Sequence, residues 1–383
     1  MAGSVLAKIF DPKLMADRAD WLAVAAAVSV PWSTSATSIL IVIWVLALAP
    51  TLKWPDVRRE LLTAAGGLPV LLFLLGALGM IWAGVPWEAR LGGLNSFAKL
   101  LVVPLLIVQF RRSDKGEWVL IGFLIACVAL LIASYAGVVI AWYWLKSPGA
   151  IHVLSVLVKS YIIQSAEFAI CAAVLFDIAV TSAIARRWFV AIGAVLLGVA
   201  FVGNIVFFVT GRTTLVILPV LAVIYGVRRF GWKGLFAVFA LGAVMAAMAW
   251  TMSPYLRFRV ESTFTQTRAY ETEDAATSTG KRLMYWTKSL EFIESAPVLG
   301  HGTGSIPAMF RQAAVGQTGV AGEVSTNPHN MTFAVAIQIG LVGALVLWAM
   351  WITQLSLFRG PGLVAWIGLV LVVQNLVGSL FNS

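Results

Sequence analysis

The stretch Ser325–Gly343, STNPHNMTFAVAIQIGLVG, is where a polar loop turns into an apolar helix, with a histidine at the junction. Pro328 suits the first helical position because its missing N–H would be unpaired there, and Asn327 is a good N-cap. We therefore predict that the helix begins at Pro328 and that His329 lies in its first turn. The positive end of the helix dipole would favour a neutral imidazole, which can act as a general base. The alternative is a histidine that only makes a hydrogen bond at an interface.

The composition indicates a membrane protein. Hydrophobic residues make up 60% of the 383, charged residues 11%, and the mean hydropathy is +0.92. A soluble domain could not cover this much apolar surface. The net charge of +10 comes from short basic clusters between apolar runs, which is typical of cytoplasmic loops rather than of nucleic-acid binding. Cys127 and Cys171 both fall inside apolar runs, so they predict neither a disulfide framework nor a metal cluster.

Apolar runs of bilayer-spanning length recur along the whole chain, and we predict an all-α, polytopic transmembrane helical bundle of about eleven to twelve spans. The runs that we mark as spans are 20–33, 35–51, 66–84, 94–110, 117–142, 160–182, 188–209, 212–227, 232–252, 328–354 and 361–381. Residues 1–252 would hold about nine N-terminal spans, residues 253–327 a large periplasmic loop with helices, and residues 328–383 the C-terminal spans.

The basic clusters fall in alternate short loops, which places those loops and the N-terminus in the cytoplasm. The long loop 253–327 is then periplasmic. Eleven spans leave Ser383 on the periplasmic side, directly after the last apolar run. Either one of the marked segments is not a span, or the protein continues into a further C-terminal span that this chain lacks, and we expect the latter.

The long loop carries a helical pattern. In KRLMYWTKSLEFIES, residues 281–295, apolar side chains recur at helical spacing at Leu283, Trp286, Leu290 and Ile293. We predict an amphipathic helix that lies on the protein or on the membrane, with Arg282, Tyr285 and Ser289 on its other side.

The sequence Gly300-His301-Gly302-Thr303-Gly304 follows the predicted helix and forms a glycine-rich turn. It lacks the Lys-Ser/Thr pair of a P-loop and follows a helix rather than a strand, which excludes a nucleotide site. We expect the turn to shape the floor of a cavity, because glycines allow the backbone to approach a partner closely.

Three basic residues are candidates for binding an anion at the periplasmic face. Arg212 lies between two apolar runs, Arg282 lies on the loop helix, and Lys99 lies inside the fourth apolar run. Two guanidiniums gathered beside His329 would bind a diphosphate well. The alternative for Arg212 and Lys99 is a side chain that only snorkels to the headgroup region. Arg90 and Lys159 are expected to be exposed loop charges.

The run His329-Asn330, nine residues, then Gly340-Leu341-Val342-Gly343 resembles the signature of the bacterial O-antigen ligases, in the family shared with O-antigen polymerases and pilin O-oligosaccharyltransferases. Arg212 in GRTT resembles that family's arginine at the outer end of a helix that precedes the large loop. Arg282, followed by Trp286, Pro297, Gly300, Gly302 and Gly304, resembles the arginine and P-x-x-G-x-G turn of its periplasmic loop.

The resemblance implies a GT-C-like glycosyltransferase of the bacterial inner membrane that acts in lipopolysaccharide biosynthesis. It would transfer O-antigen from undecaprenyl diphosphate to a lipid A-core sugar at the periplasmic face, with inversion and without a metal or other cofactor. His329 would be the catalytic base. Arg212, Arg282, Asn330 and Lys99 would bind the substrates, and Pro328, Gly340 and Gly343 would be structural. The alternatives are a polymerase or protein O-oligosaccharyltransferase of the same family, or a lipid or solute transporter.

Overall fold

A computed structural model of the chain describes residues 11–146, 151, 153–209, 211–252, 257–258, 260–262, 265 and 278–381. The described residues form helices without any strand, which confirms the predicted all-α class. The helices are α1 Pro12–Ser29, α2 Thr34–Leu48, α3 Trp54–Leu61, α4 Ala64–Trp82, α5 Trp87–Ala98, α6 Val102–Phe110, α7 Gly116–Tyr143, α8 Tyr161–Ile184, α9 Trp188–Asn204, α10 Arg212–Met252, α11 Ser278–Ser295, α12 Ile306–Ala314, α13 Met331–Leu357 and α14 Leu363–Ser379.

Eight helical segments among the described residues are long and apolar enough to cross a membrane, as the polytopic prediction requires. Two shorter apolar helices, Val238–Met252 and Leu363–Ser379, coincide with predicted spans. The predicted span 20–33 lies largely in α1, which begins much earlier because Asp11 accepts a hydrogen bond from the N–H of Lys13 and Pro12 occupies the first position. Gly231 has φ 61° and interrupts α10 between the two spans predicted there.

The chain divides into two compact units. The first unit comprises Met1–Arg59, Leu106–Ala249 and Gly362–Val370. Its core lies between α7, α8 and α9, where Phe168 and Phe201 meet edge to face with ring centroids 4.9 Å apart. Small buried residues such as Ala169 and Ala172 let these helices pack closely.

The first unit also holds a buried ion pair. The Lys159 ammonium nitrogen lies 3.8 Å from a Glu167 carboxylate oxygen, and the two side chains are only 11% and 8% exposed. Lys159 also donates a hydrogen bond to the carbonyl of Val30. The prediction of an exposed loop charge at Lys159 is therefore wrong, because a carboxylate on the neighbouring helix and a carbonyl compensate the burial of the ammonium.

The second unit comprises Glu60–Leu105, Trp250–Pro361 and Leu371–Ser383. Helices α4 and α13 pack together around Leu72, Val335, Ile339 and the buried Trp351. A second cluster forms where α11 and α12 pack against the start of α13, and its members are Met284, Tyr285, Phe292, Ile306, Phe310, Val320 and Ile337. This cluster holds the loop helix α11 against the junction that contains His329.

Candidate functional site

The junction before α13 is built differently from the sequence prediction. The N-cap is Asn330, whose side chain accepts a hydrogen bond of 3.2 Å from the N–H of Phe333, and the helix begins at Met331. His329 therefore precedes the cap and has φ 56°, in the left-handed region. The prediction of a start at Pro328 is wrong because Asn330 competes successfully with Asn327 for the capping position.

Asn327 has another role in the same junction. Its side-chain oxygen accepts a hydrogen bond of 2.7 Å from the N–H of His329. Its own N–H donates to the Ser325 hydroxyl at 3.1 Å, and that hydroxyl donates back to the Asn327 carbonyl at 2.6 Å. These bonds fix the turn that holds His329 in its left-handed conformation.

The imidazole of His329 is half-buried and packs on α11. Its ring stacks on that of Tyr285, with centroids 6.0 Å apart and planes inclined by 24°. Tyr285 in turn meets the fully buried Phe310 edge to face at 5.4 Å. The next residue of α11, Trp286, meets Phe333 edge to face, with ring centroids 6.4 Å apart. Helix α11 thus contacts the chain on both sides of the Asn330 cap.

The surroundings of His329 keep its imidazole neutral. Burial lowers the pKa of His329 below its ordinary value, and the nearby positive charge of Arg282 lowers that pKa further. We predicted a neutral imidazole because of a position in the first helical turn. Its causes are instead the burial of His329 and the charge of Arg282. A neutral, half-buried imidazole beside a guanidinium can accept a proton while the guanidinium attracts an anion.

Helix α11 is confirmed, and the face that is buried within the second unit is the one that carries Tyr285 and Ser289. The side chains of Met284, Tyr285, Lys288, Ser289 and Phe292 are buried, whereas Leu290 is 49% exposed. The two polar members of this face are satisfied by carbonyls within the second unit. Lys288 donates to Ala313 at 3.2 Å and to Ala321 at 2.6 Å, and Ser289 donates to Tyr285 at 2.6 Å.

The glycine turn 300–304 fills a break in α13. Ile339 and Gly340 have non-helical backbone angles, so the N–H of Leu341 does not bond to the carbonyl of Ile337 four residues earlier. Instead Leu341 donates to Pro297 at 2.8 Å, and Ile337 accepts from His301 at 2.8 Å. The turn therefore replaces the helical hydrogen bond that the break removes.

Gln338 makes two further bonds with the same turn. Its carbonyl accepts from the N–H of Gly302 at 2.9 Å, and its side-chain oxygen accepts from the N–H of Gly304 at 2.8 Å. Gly340 has φ 67°, and a Cβ there would meet the carbonyl oxygen of Val298. The conformation and the close approach both require glycine at this position.

The other side of the turn packs on α4 and α5. Thr303 donates its N–H to Gly79 at 3.1 Å and its hydroxyl to Gly76 at 2.5 Å. Gly302 and Gly304 have φ 90° and 85°, and a Cβ on either would collide with Ala83 or Ala89 respectively. The turn is a packed junction of three helices of the second unit.

Arg90 anchors the loop between α4 and α5 and is not the exposed loop charge that we predicted. Its guanidinium donates to the carbonyls of Val85 at 2.7 Å and Met80 at 2.9 Å, and it lies over the ring of Trp87 at 4.9 Å. His301 is likewise structural, because its Nε2 lies 2.9 Å from the carbonyl oxygen of Phe292 and 3.1 Å from the hydroxyl of Ser295.

The predicted substrate-binding residues Arg282, Arg212, Lys99 and Asn330 lie in different elements of the fold. Arg282 lies by His329 in the second unit, whereas Arg212 begins α10 in the first unit and its side chain lies outside the described part of the chain. Lys99 is exposed in a 3-10 turn between α5 and α6. Asn330 is buried and uses its side-chain oxygen as a helix cap.

Tyr285 and Gln338 are site residues that sequence reasoning missed. Tyr285 was assigned to the polar side of α11, and Gln338 is a single amide within an apolar run. No motif indicated that Tyr285 stacks on His329 or that Gln338 binds the glycine turn. Within the described ranges, no group of three or more His, Cys, Asp or Glu side chains is arranged to hold a metal ion.

Comparison with known proteins identifies a family for the part of the chain that contains these features. Residues 197–349 match the family model described as O-antigen ligase. The match includes His329, Arg282, Arg212 and the glycine turn, and it confirms the resemblance seen in the sequence. No curated protein sequence matches the chain.

Proposed function

We propose that this chain, in which residues 197–349 match the O-antigen ligase family, transfers an O-antigen glycan from undecaprenyl diphosphate to a sugar of the lipid A-core. The reaction would take place at the periplasmic face of the bacterial inner membrane. The observation that carries the proposal is the half-buried His329, whose pKa is lowered by burial and by the charge of Arg282. This arrangement is suited to a general base that works beside an anionic leaving group.

In the proposed reaction, Nε2 or Nδ1 of His329 takes the proton of the acceptor hydroxyl. The hydroxyl oxygen forms a bond to the anomeric carbon of the donor glycan while the bond from that carbon to the diphosphate oxygen breaks. Undecaprenyl diphosphate leaves with the electron pair. Attack from the side opposite the diphosphate inverts the anomeric configuration.

Arg282 would stabilise the negative charge that grows on the leaving diphosphate, because guanidiniums bind phosphate oxygens through paired hydrogen bonds. We assign the same role to Arg212, on the resemblance of its GRTT segment to the family. Lys99 would contact a headgroup or the diphosphate, and the amide nitrogen of Asn330 would contact a substrate. The donor bond is already activated by the diphosphate, so the proposed reaction requires no nucleotide, metal or other cofactor.

The transporter alternative has one structural observation in its favour, the interrupted helix α13. Broken helices in transporters present free backbone groups to a substrate or ion. Here Ile337 and Gln338 accept hydrogen bonds from His301 and Gly302 instead. The break is thus occupied by the protein's own backbone, which favours a structural junction over a transport pathway.

The direct test is to incubate the purified protein with a polyprenyl-diphosphate glycan and lipid A-core, without nucleotide or metal. A ligase should give lipid A-core that is heavier by the transferred glycan. Donor glycans joined to one another would instead identify a polymerase, and movement of labelled lipid across sealed vesicles without either product would identify a transporter.

The variant His329→Ala should lower the ligation rate by on the order of 10²- to 10⁴-fold if His329 is the base. His301→Gln is the matched control, because it also changes a histidine of the second unit but one that binds the end of α11. Its rate should stay close to that of the unchanged protein. A folded, membrane-inserted His329→Ala protein with an unchanged rate would exclude the base assignment.

A further inference from the structure

A shallow apolar groove lies between α8 and α9 in the first unit, away from His329 in the sequence. Its volume is about 330 Å³, and its lining includes Ala179, Ala183, Ala191, Val195 and Leu196. The α9 part of the lining, Trp188 to Leu196, extends for about 12 Å at 1.5 Å per residue. The lining residues are all apolar, and the alanines leave room for an elongated hydrocarbon chain.

The turn that joins the two helices places two positive charges at one end of this groove. Arg186 and Arg187 are exposed and immediately precede Trp188. The backbone of the turn is already satisfied, because the N–H of Arg186 donates to Ala183 at 3.0 Å and that of Arg187 donates to Ser182 at 2.8 Å. Arg186 has φ 57°, which sharpens the turn. In the described part of the chain, no carboxylate forms an ion pair with either guanidinium.

Trp188 lies where a bilayer would meet water. It is the first residue of α9, lines the groove and is 59% exposed, and the next residue, Phe189, is 95% exposed. Aromatic side chains at the end of a membrane helix are typical of the headgroup region. The guanidiniums of the turn then lie at the depth of lipid phosphates, and the groove lies at the depth of acyl chains.

We propose that this groove binds an anionic phospholipid of the bilayer, with one acyl chain along Ala183, Ala191 and Val195 and the phosphate on Arg186 and Arg187. The two arginines at the end of the groove favour an anionic lipid. Basic sites between membrane helices bind acidic headgroups, and an arginine pairs well with a phosphate. A zwitterionic lipid would fill the same groove but would gain less from the arginines.

The test is native mass spectrometry of the full chain, delipidated in detergent and titrated with phosphatidylglycerol or phosphatidylcholine. The unchanged protein should retain phosphatidylglycerol preferentially. Arg186→Gln/Arg187→Gln should reduce its affinity for phosphatidylglycerol by about 30-fold, given a contribution of about 1 kcal/mol from each basic residue near a lipid surface. The affinity for phosphatidylcholine should change much less.

Two controls distinguish binding of lipid in the groove from general attraction of lipid to surface charge. Arg58→Gln/Arg59→Gln removes the same charge from α3, where Arg59 lies 3.4 Å from Asp56, and should leave phosphatidylglycerol retention unchanged. Val195→Trp fills the groove at a 41% exposed position, whereas Val199→Trp adds the same ring one turn further along α9, outside the lining. Only Val195→Trp should weaken binding of both lipids.

Equal losses from the two arginine pairs would overturn the proposal in favour of general electrostatic attraction. Unchanged binding in both Arg186→Gln/Arg187→Gln and Val195→Trp would also overturn it. A change in the monomer–dimer ratio of Val195→Trp, with lipid retention unaffected, would show that a second copy of the chain occupies the groove instead.

Discussion

The ring of Tyr285 stacks on the imidazole of His329 at a centroid distance of 6.0 Å. Tyr285 belongs to α11 in the loop segment, and His329 belongs to the junction before α13. Because His329 lies outside any helix and has a left-handed backbone, this contact and the hydrogen bond from its N–H to Asn327 are what orient it. The loop helix therefore positions the proposed base.

Tyr285→Leu should lower the ligation rate by roughly 3- to 10-fold, as expected for the loss of the aromatic contact with His329. The loss of the contact with Phe310 should appear in the stability of the protein. Tyr285→Phe keeps the ring and should retain most of the activity. The measurement is the steady-state ligation rate, taken together with the thermal unfolding midpoint of each variant. Equal losses in the two variants would show that the hydroxyl of Tyr285, and not its ring, is the important group.

Arg282→Gln should shift the pH dependence of ligation. The acid limb of the unchanged protein should lie below the ordinary histidine value of about 6.5, because burial and Arg282 lower the pKa of His329. Removing the guanidinium raises that pKa, so the rate should begin to fall at a higher pH as the solution is acidified. The measurement is kcat/KM as a function of pH.

Arg282→Lys separates charge from geometry in the same assay. Lysine keeps the positive charge, so the acid limb should stay nearly in place. The maximal rate should still fall, because an ammonium cannot form the paired hydrogen bonds of a guanidinium with a diphosphate. An acid limb that is identical in Arg282→Gln and the unchanged protein would contradict the electrostatic coupling of Arg282 with His329.

Gly340→Ala should destabilise the second unit by at least about 2 kcal/mol, through the left-handed backbone and the collision with Val298. The midpoint of thermal unfolding in detergent measures the effect. Gly92→Ala is the control, because a Cβ at this position of α5 has nothing within 4 Å. It should leave the midpoint unchanged or raise it slightly. A similar midpoint for both variants would show that the break in α13 relaxes without cost.

Lys288→Met should loosen the segment that follows α12. Burial lowers the pKa of Lys288, and its ammonium donates to Ala313 and Ala321. Leaving these two carbonyls unpaired should cost about 1–3 kcal/mol, and limited proteolysis should cut residues 315–324 faster. Lys281→Met is the comparison, since the 2.6 Å ion pair of Lys281 with Glu323 holds the same segment at the surface. Ion pairs at the surface contribute little to stability. Faster cleavage in Lys281→Met than in Lys288→Met would therefore contradict this account.

The sequence predicted the helical class, most of the apolar helices of membrane-spanning length and the polar junction at His329, because long apolar runs and turn residues are local signals. It did not predict where α13 begins, since Asn327 and Asn330 are both good caps and only tertiary contacts decide between them. It also did not predict that the face of α11 with Tyr285 is the one buried in the protein. Lys288 and Ser289 interrupt the apolar pattern of that face, and the carbonyls that satisfy Lys288 lie far away in the sequence.

The geometry of the candidate site was the least predictable part. The proximity of Arg282 to His329 was expected because both were assigned to the periplasmic face. The stacking of Tyr285 on His329 was not predicted, because no motif marked Tyr285. The glycine turn was expected to shape a cavity floor. Its bonds to Ile337 and Gln338 could not be read from a sequence in which Gly340 lies within an uninterrupted apolar run.

The hydrogen bonds between the glycine turn and α13 also constrain how this protein can be assembled and recombined. Ile337, Gln338 and Leu341 belong to a candidate membrane span, and unpaired backbone groups in lipid cost several kcal/mol each. Residues 297–304 must therefore dock before that span is stable in the bilayer. A chimera that exchanges the loop between relatives should insert correctly only when the boundary keeps this turn together with its own span.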